Sequence, residues 1–118
     1  MDRQRQTKAV HHCHCGMCRR WTGSAFATLV WFARSDVRWQ GRERVAFRSS
    51  PIAVRTHCRV CGTALSLAYD ARDGIALTVG SLDNPEAVTP THHYGVEGRL
   101  PWADIGADLP VKLTAERW

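Results

Sequence analysis

Five cysteines fall in two clusters of this 118-residue chain, and the spacing of the first cluster predicts a metal site. Cys13, Cys15 and Cys18 follow the pattern C-x-C-x-x-C, which can bring three thiolates to one ion from a single tight turn. Glycine accepts backbone angles that other residues avoid, so Gly16 is expected to let the chain curl after Cys15. A structural zinc site takes four ligands, whereas three leave an open position at which zinc performs chemistry.

The second cluster, Cys58 and Cys61 followed by Gly62, has the spacing of half a zinc knuckle. In such knuckles a tight turn donates backbone N–H groups to sulfur, and two further ligands must come from elsewhere. Neutral imidazole binds zinc well, and His14 and His57 are candidates because they lie inside the clusters. A redox dithiol is the alternative for the first cluster, and it predicts a disulfide between two of its three cysteines.

Length and composition favour one domain in a reducing compartment. No apolar run is long enough to span a membrane, and the polar residues 1–8 do not resemble a signal sequence, so we expect a soluble, cytoplasmic protein without a membrane partner. In a reducing compartment, clustered cysteines are more often metal ligands than disulfides. The net charge is +5, but its arginines are scattered, which suits small acidic ligands and does not favour nucleic acid as the partner.

Hydrophobic periodicity favours short strands over helices. Apolar, β-branched or alternating segments bounded by turn residues predict strands at 26–32, 37–39, 45–47, 52–54, 63–69 and 75–79. The helical candidate is one or two turns at 15–21, which would carry Cys18 and Arg19. The expected fold class is therefore mainly β, built of short antiparallel strands around metal knuckles.

Five separated blocks of this chain resemble one known family. They are C-H-C-G-M-C-R-R-W-T-G-S at 13–24, H-C-R-V-C-G-T at 57–63, V-G-S-L-D-N-P at 79–85, P-T-H-H at 90–93 and P-W at 101–102. In this order they are similar to the glutathione-dependent formaldehyde-activating enzyme (GFA) family, also called CENP-V/GFA domains. The resemblance covers about residues 10–110, and it implies a single zinc-binding domain over 1–118 with several short coiled β-sheets.

The resemblance also implies two zinc sites. A catalytic zinc carries over to Cys13, Cys15 and Cys18, and half of a structural zinc site carries over to Cys58 and Cys61. The family's other half, an upstream C-x-C, has no counterpart here, so we expect this domain to lack the family's first strand. Either the start is truncated, or histidines or solvent complete the second site, or its two cysteines remain thiols.

The activity implied by the resemblance is the condensation of glutathione with formaldehyde to S-(hydroxymethyl)glutathione, in reverse a carbon–sulfur lyase reaction. Zinc is the expected cofactor, and a thiol such as glutathione and a small aldehyde are the expected partners. Arg19 and Arg20 would offset the charge of three thiolates and hold the thiol's carboxylates, lining a ligand pocket with Thr22 and Ser24. The alternative is a non-enzymatic, zinc-stabilised module that binds a protein or nucleic acid.

Overall fold

Seven β-strands and one short α-helix form the framework of the residues that the structure describes. A computed structural model describes residues 9–41, 43–104, 109, 110, 113 and 115. The helix α1 is Gly16–Thr22, and the strands are β1 (Val10–Cys13), β2 (Ala27–Ala33), β3 (Arg44–Ser50), β4 (Ala53–Cys58), β5 (Ala64–Tyr69), β6 (Gly74–Thr78) and β7 (His92–Tyr94). The mainly β prediction is confirmed. Within the described ranges, no helix is long and apolar enough to cross a membrane.

The seven strands form one mixed sheet in the order β3-β4-β5-β6-β2-β1-β7. Five neighbouring pairs are antiparallel, while β1 and β7 are parallel. Strand β6 pairs with both β5 and β2, and it thereby joins the β3–β5 meander to the antiparallel pair of β2 and β1. Because of this shared strand the described strands form one continuous sheet, where the family resemblance implies several short ones.

Most predicted elements lie within a residue or two of an observed one. The helix and the strands at 26–32, 63–69 and 75–79 correspond to α1, β2, β5 and β6, whereas β3 and β4 are longer than predicted. The predicted strand at 37–39 is wrong, because a 3₁₀ turn at Arg34–Asp36 leads into irregular chain. There the Trp39 ring packs against the Arg44 guanidinium, 3.9 Å from the ring centroid.

Small buried side chains on one face of the sheet make room for α1. Ala27, Ala53 and Ala76 form a core with Leu29 and Leu67, and Cys13 and Cys18 belong to the same cluster. An alanine projects little from a strand, so a short helix can approach the sheet closely at these positions. The first cysteine cluster therefore lies in the core, between the end of β1 and the inner face of α1.

The segment after β7, which contains Gly95 and Gly98, packs tightly against the turn between β1 and α1. Gly95 has a φ of +68°, and a Cβ atom at this position would lie 3.3 Å from the backbone nitrogen of Cys15. At Gly98 a Cβ atom would lie 2.9 Å from the carbonyl oxygen of His14, a distance that real Cβ atoms do not tolerate. These glycines allow the segment after β7 to pack directly against the backbone that carries the cysteines.

We expect Gly98→Ala to destabilise the protein by about 1–3 kcal/mol, the usual cost of overpacking a tight contact. The cause is the backbone shift needed to separate the new methyl group from the His14 carbonyl. Gly80→Ala is the control, since a Cβ at Gly80 meets nothing within 4 Å. Urea denaturation of both variants measures the difference, and equal midpoints would contradict this account of the contact.

Candidate metal centre

Three sulfur atoms converge where β1 gives way to α1. The Sγ atoms of Cys13, Cys15 and Cys18 lie within 4.8 Å of one another, and those of Cys13 and Cys15 are 3.6 Å apart. Zinc–sulfur bonds of about 2.3 Å in tetrahedral geometry place two sulfurs roughly 3.8 Å apart, so this donor set fits zinc. No fourth His, Cys, Asp or Glu joins the group among the residues described. The three cysteines could therefore hold a metal ion with one position left for another ligand.

Each cysteine of the triplet occupies a different structural position. Cys13 ends β1, Cys15 is the N-cap of α1, and Cys18 lies on the buried face of the helix. The backbone N–H of Cys18 donates to Cys15 Sγ at 3.4 Å, as a capping interaction. Cys13 and Cys18 are buried while Cys15 is partly exposed, so Cys15 is the member of the triplet on the solvent side.

The expected role of Gly16 in this turn is wrong. Gly16 is the first residue of α1 and is not among the described glycines with positive φ, because the extended backbone of Cys15 makes the turn. The missing side chain has another effect. A Cβ at Gly16 would lie 3.2 Å from Nη1 of Arg20 and 3.7 Å from Nη2 of Arg19. Both guanidinium groups therefore lie beside the first residue of the helix, which follows Cys15.

A buried arginine from β4 contacts the sulfur cluster. Arg55 is 3% exposed, and its Nη1 donates to Cys18 Sγ at 3.4 Å. Its Nε donates to Ser49 Oγ at 3.1 Å, and its guanidinium carbon lies 4.8 Å from the centroid of the Trp21 ring. Sequence reasoning missed this residue and placed Arg19 and Arg20 at the thiols instead. The sequence feature that could have indicated it is the two-residue period of a strand, which puts Arg55 on the same face of β4 as Ala53.

The thiols of the cluster differ in pKa. A hydrogen bond from Cys13 lowers the pKa of Cys18 to about 6, and the Arg55 guanidinium acts in the same direction against the effect of burial. The pKa of Cys13 is raised, because Cys13 donates to Cys18 and is itself buried. Without metal, the pair is thus a thiol hydrogen-bonded to a thiolate near neutral pH.

Thr22 and Ser24 lie at the opposite end of α1 from the two arginine head groups. Thr22 Oγ1 donates to the Cys18 carbonyl at 2.9 Å and accepts from the Ser24 backbone N–H at 3.3 Å, which closes the helix C-terminus. The four residues expected to line one pocket therefore fall into two groups. Thr22 lines a cavity of about 420 Å³, which is bounded by neither of the arginines nor by the triplet cysteines.

That cavity lies between α1 and the second cysteine cluster. Its walls include Trp21, Phe26, Cys61 and Thr63, together with Thr78 at the end of β6 and the nearby Ser81. Trp21 also packs against the core that contains Cys13 and Cys18. One aromatic side chain is therefore shared by the cavity and the sulfur site.

The second cluster has the backbone geometry of a zinc knuckle. The N–H groups of Val60 and Cys61 point at Cys58 Sγ, at 3.4 and 3.5 Å, and Gly62 has a φ of +81° as the turn requires. No His, Cys, Asp or Glu completes a group of three with this pair in the described part of the chain. The two histidines proposed from their position in the sequence lie elsewhere: Nε2 of His14 is 2.8 Å from Nδ1 of His93, and the ring of His57 packs near Phe47.

We expect the metal-free, reduced protein to show a thiolate titration near pH 6 that belongs to Cys18, because Arg55 and Cys13 stabilise its anion. Thiolate absorbance near 240 nm, followed against pH, should rise well below the ordinary cysteine range. Cys18→Ser should abolish this early rise, while Cys61→Ser should keep it. An early rise that survives in Cys18→Ser would contradict the assignment.

Since the pKa of Cys18 is lower in the folded chain, the free energy of unfolding of the metal-free protein should also increase as pH rises from about 6 to 9.

A family model described as glutathione-dependent formaldehyde-activating enzyme matches residues 1–97 of the chain. No curated protein matches the chain at a significant level. The match contains both cysteine clusters, β1 to β7 and the glycine at position 95.

Proposed function

Because the chain belongs to the glutathione-dependent formaldehyde-activating enzyme family, we propose that it is a zinc enzyme that joins a thiol to a small aldehyde. In reverse the same protein acts as a carbon–sulfur lyase. The observation that carries this proposal is the three-sulfur group of Cys13, Cys15 and Cys18, which is accessible on the Cys15 side. A centre with three protein ligands and an approach from solvent is typical of catalytic zinc.

The triplet cysteines are the proposed zinc ligands, and Cys58 and Cys61 are proposed as half of a structural site. A zinc ion bound by the triplet supplies Lewis acidity, which lowers the pKa of a thiol or polarises a carbonyl. In the forward reaction the thiol sulfur forms a bond to the aldehyde carbon. The carbonyl π bond becomes a carbon–oxygen single bond, and the thiol proton ends on that oxygen, so no oxidant or reductant is needed.

Arg19 and Arg20 are proposed to bind the carboxylates of an acidic thiol such as glutathione. Their guanidinium groups converge beside Gly16, next to Cys15, and neither forms an ion pair with a described carboxylate. Nε of Arg19 is buried and has no hydrogen-bond partner among the described residues. Two cations at the accessible edge of the sulfur group would hold an anionic substrate with its thiol near the metal.

The cavity beside Thr22 and Cys61 is a second space that could accept part of a substrate. Its volume of about 420 Å³ lies within the range of small-molecule sites, and its lining combines apolar side chains with serine and threonine and contains no charged residue. Thr22 and Ser24 are proposed to contact the ligand from this end of α1. The non-enzymatic module remains the competing hypothesis, and it requires a closed, four-ligand metal site in place of an open one.

We expect Cys15→Ser to lose one zinc per chain and all thiol–aldehyde activity, since two sulfurs hold zinc much more weakly than three. Metal analysis of protein purified under reducing, zinc-replete conditions provides the measurement, alongside an assay with formaldehyde and glutathione. Cys61→Ser is the matched control and should keep the zinc of the triplet. A wild-type protein without metal, or a Cys15→Ser variant with full zinc and activity, would refute the proposal; zinc without activity towards any thiol would favour the binding module.

We expect the double variant Arg19→Gln, Arg20→Gln to raise the KM for glutathione about tenfold or more, a loss of roughly 1.4 kcal/mol in binding. The KM for an uncharged thiol such as 2-mercaptoethanol should stay unchanged, because it has no carboxylate to lose. Arg48→Gln is the control, since this exposed arginine pairs with Asp70. Equal effects of the double variant on both thiols would rule out carboxylate binding by these arginines.

A further inference from the structure

We propose that Arg55 is a positioning residue of the metal centre, which balances the charge of the three thiolates and fixes the orientation of Cys18. This inference rests on the proposed binding of metal by the triplet. It concerns a residue from β4 that is 37 positions away from the cysteine it contacts.

The first argument is the cost of burying a cation. Arg55 is 3% exposed, and no described carboxylate lies within ion-pair distance of it. An ion removed from water costs several kcal/mol unless an opposite charge compensates it. The neighbouring strand shows the contrast: Arg48 is about half exposed and is paired with Asp70 at 2.7 Å. For Arg55 the compensating anion within hydrogen-bond distance is the sulfur of Cys18.

The second argument is the charge balance of the site. Zinc and three thiolates sum to a net charge of −1, and this excess of electron density weakens the acidity of the ion. A guanidinium beside the cluster makes the total neutral. Its N–H bond to Cys18 Sγ also draws electron density from the sulfur and therefore from the metal, as hydrogen bonds to metal ligands do in general.

The third argument is geometric. The guanidinium is held at three points: Nε donates to Ser49, Nη1 donates to Cys18, and the central carbon lies over the Trp21 ring. Two donors in a rigid fork fix a direction that a lysine ammonium cannot reproduce. Arg55 consequently holds Cys18 in one rotational position against the helix.

The test compares Arg55→Met, which keeps the apolar volume, with Arg55→Lys, which keeps the charge but loses the fork. We expect zinc affinity, measured by competition with a chromophoric chelator, to fall about 10- to 100-fold in Arg55→Met and less in Arg55→Lys. In the cobalt-substituted proteins, the sulfur-to-cobalt charge-transfer band of Arg55→Met should move to longer wavelength. The Cys18 sulfur loses the hydrogen bond from Arg55 in this variant and therefore holds its electrons less tightly. Arg48→Met should match the wild type in both readouts.

Wild-type affinity and an unshifted band in Arg55→Met would overturn the proposal, as would a lysine variant as impaired as the methionine one. If Arg55→Met fails to fold, the wild-type protein decides: the ¹⁵N guanidinium signals of Arg55 should shift when zinc binds, while those of Arg48 should not. Unshifted Arg55 signals would overturn the proposal. Failure of the proposed metal binding is distinguishable, because the wild type would then bind neither zinc nor cobalt. Failure of the proposed catalysis alone would leave the affinity and the charge-transfer band of the wild type measurable.

Discussion

The constraint on which this structure depends is the close approach of three sulfur atoms that repel one another once ionised. Cys13 is held by the β1 ladder, Cys15 by its capping role, and Cys18 by the buried face of α1. The alanines beneath the helix and the glycine segment beside the β1–α1 turn serve the same arrangement, because each lets backbone approach backbone. Positive charge nearby stabilises the ionised sulfurs, and the Arg55 guanidinium that donates to Cys18 Sγ is one source of it within the chain.

The four polar residues that the sequence assigned to one ligand pocket lie at two opposite ends of α1. A helix of seven residues is about 10 Å long. The head groups of Arg19 and Arg20 lie at its N-terminal end, whereas Thr22 and Ser24 lie at the other end, where Thr22 lines the cavity. A ligand held by its carboxylates at the first end would need an extended shape to reach the second. An elongated acidic thiol meets that requirement better than a compact one.

Sequence alone predicted the features that depend on local spacing. The cysteine triplet, the knuckle turn and the strands β2, β5 and β6 follow from contiguous patterns of ligands, turn residues and alternation. Strands β1 and β7 were missed, because short histidine-rich segments lack a strand signature and gain their structure by pairing across the fold. Arg55 was missed for a related reason: strand alternation shows that it shares a face with Ala53, but not which face meets the cysteines.

The parallel pairing of β1 with β7 has a consequence for the order in which the protein is completed during synthesis. Residues 11–13 pair with residues 92–94, and the segment that presses on the cysteine turn follows directly after. Such long-range contacts form late, because much chain must be ordered before they are satisfied. The three thiols leave the ribosome some 80 residues before the strand that pairs with β1, so they are synthesised long before the fold that brings them together is complete.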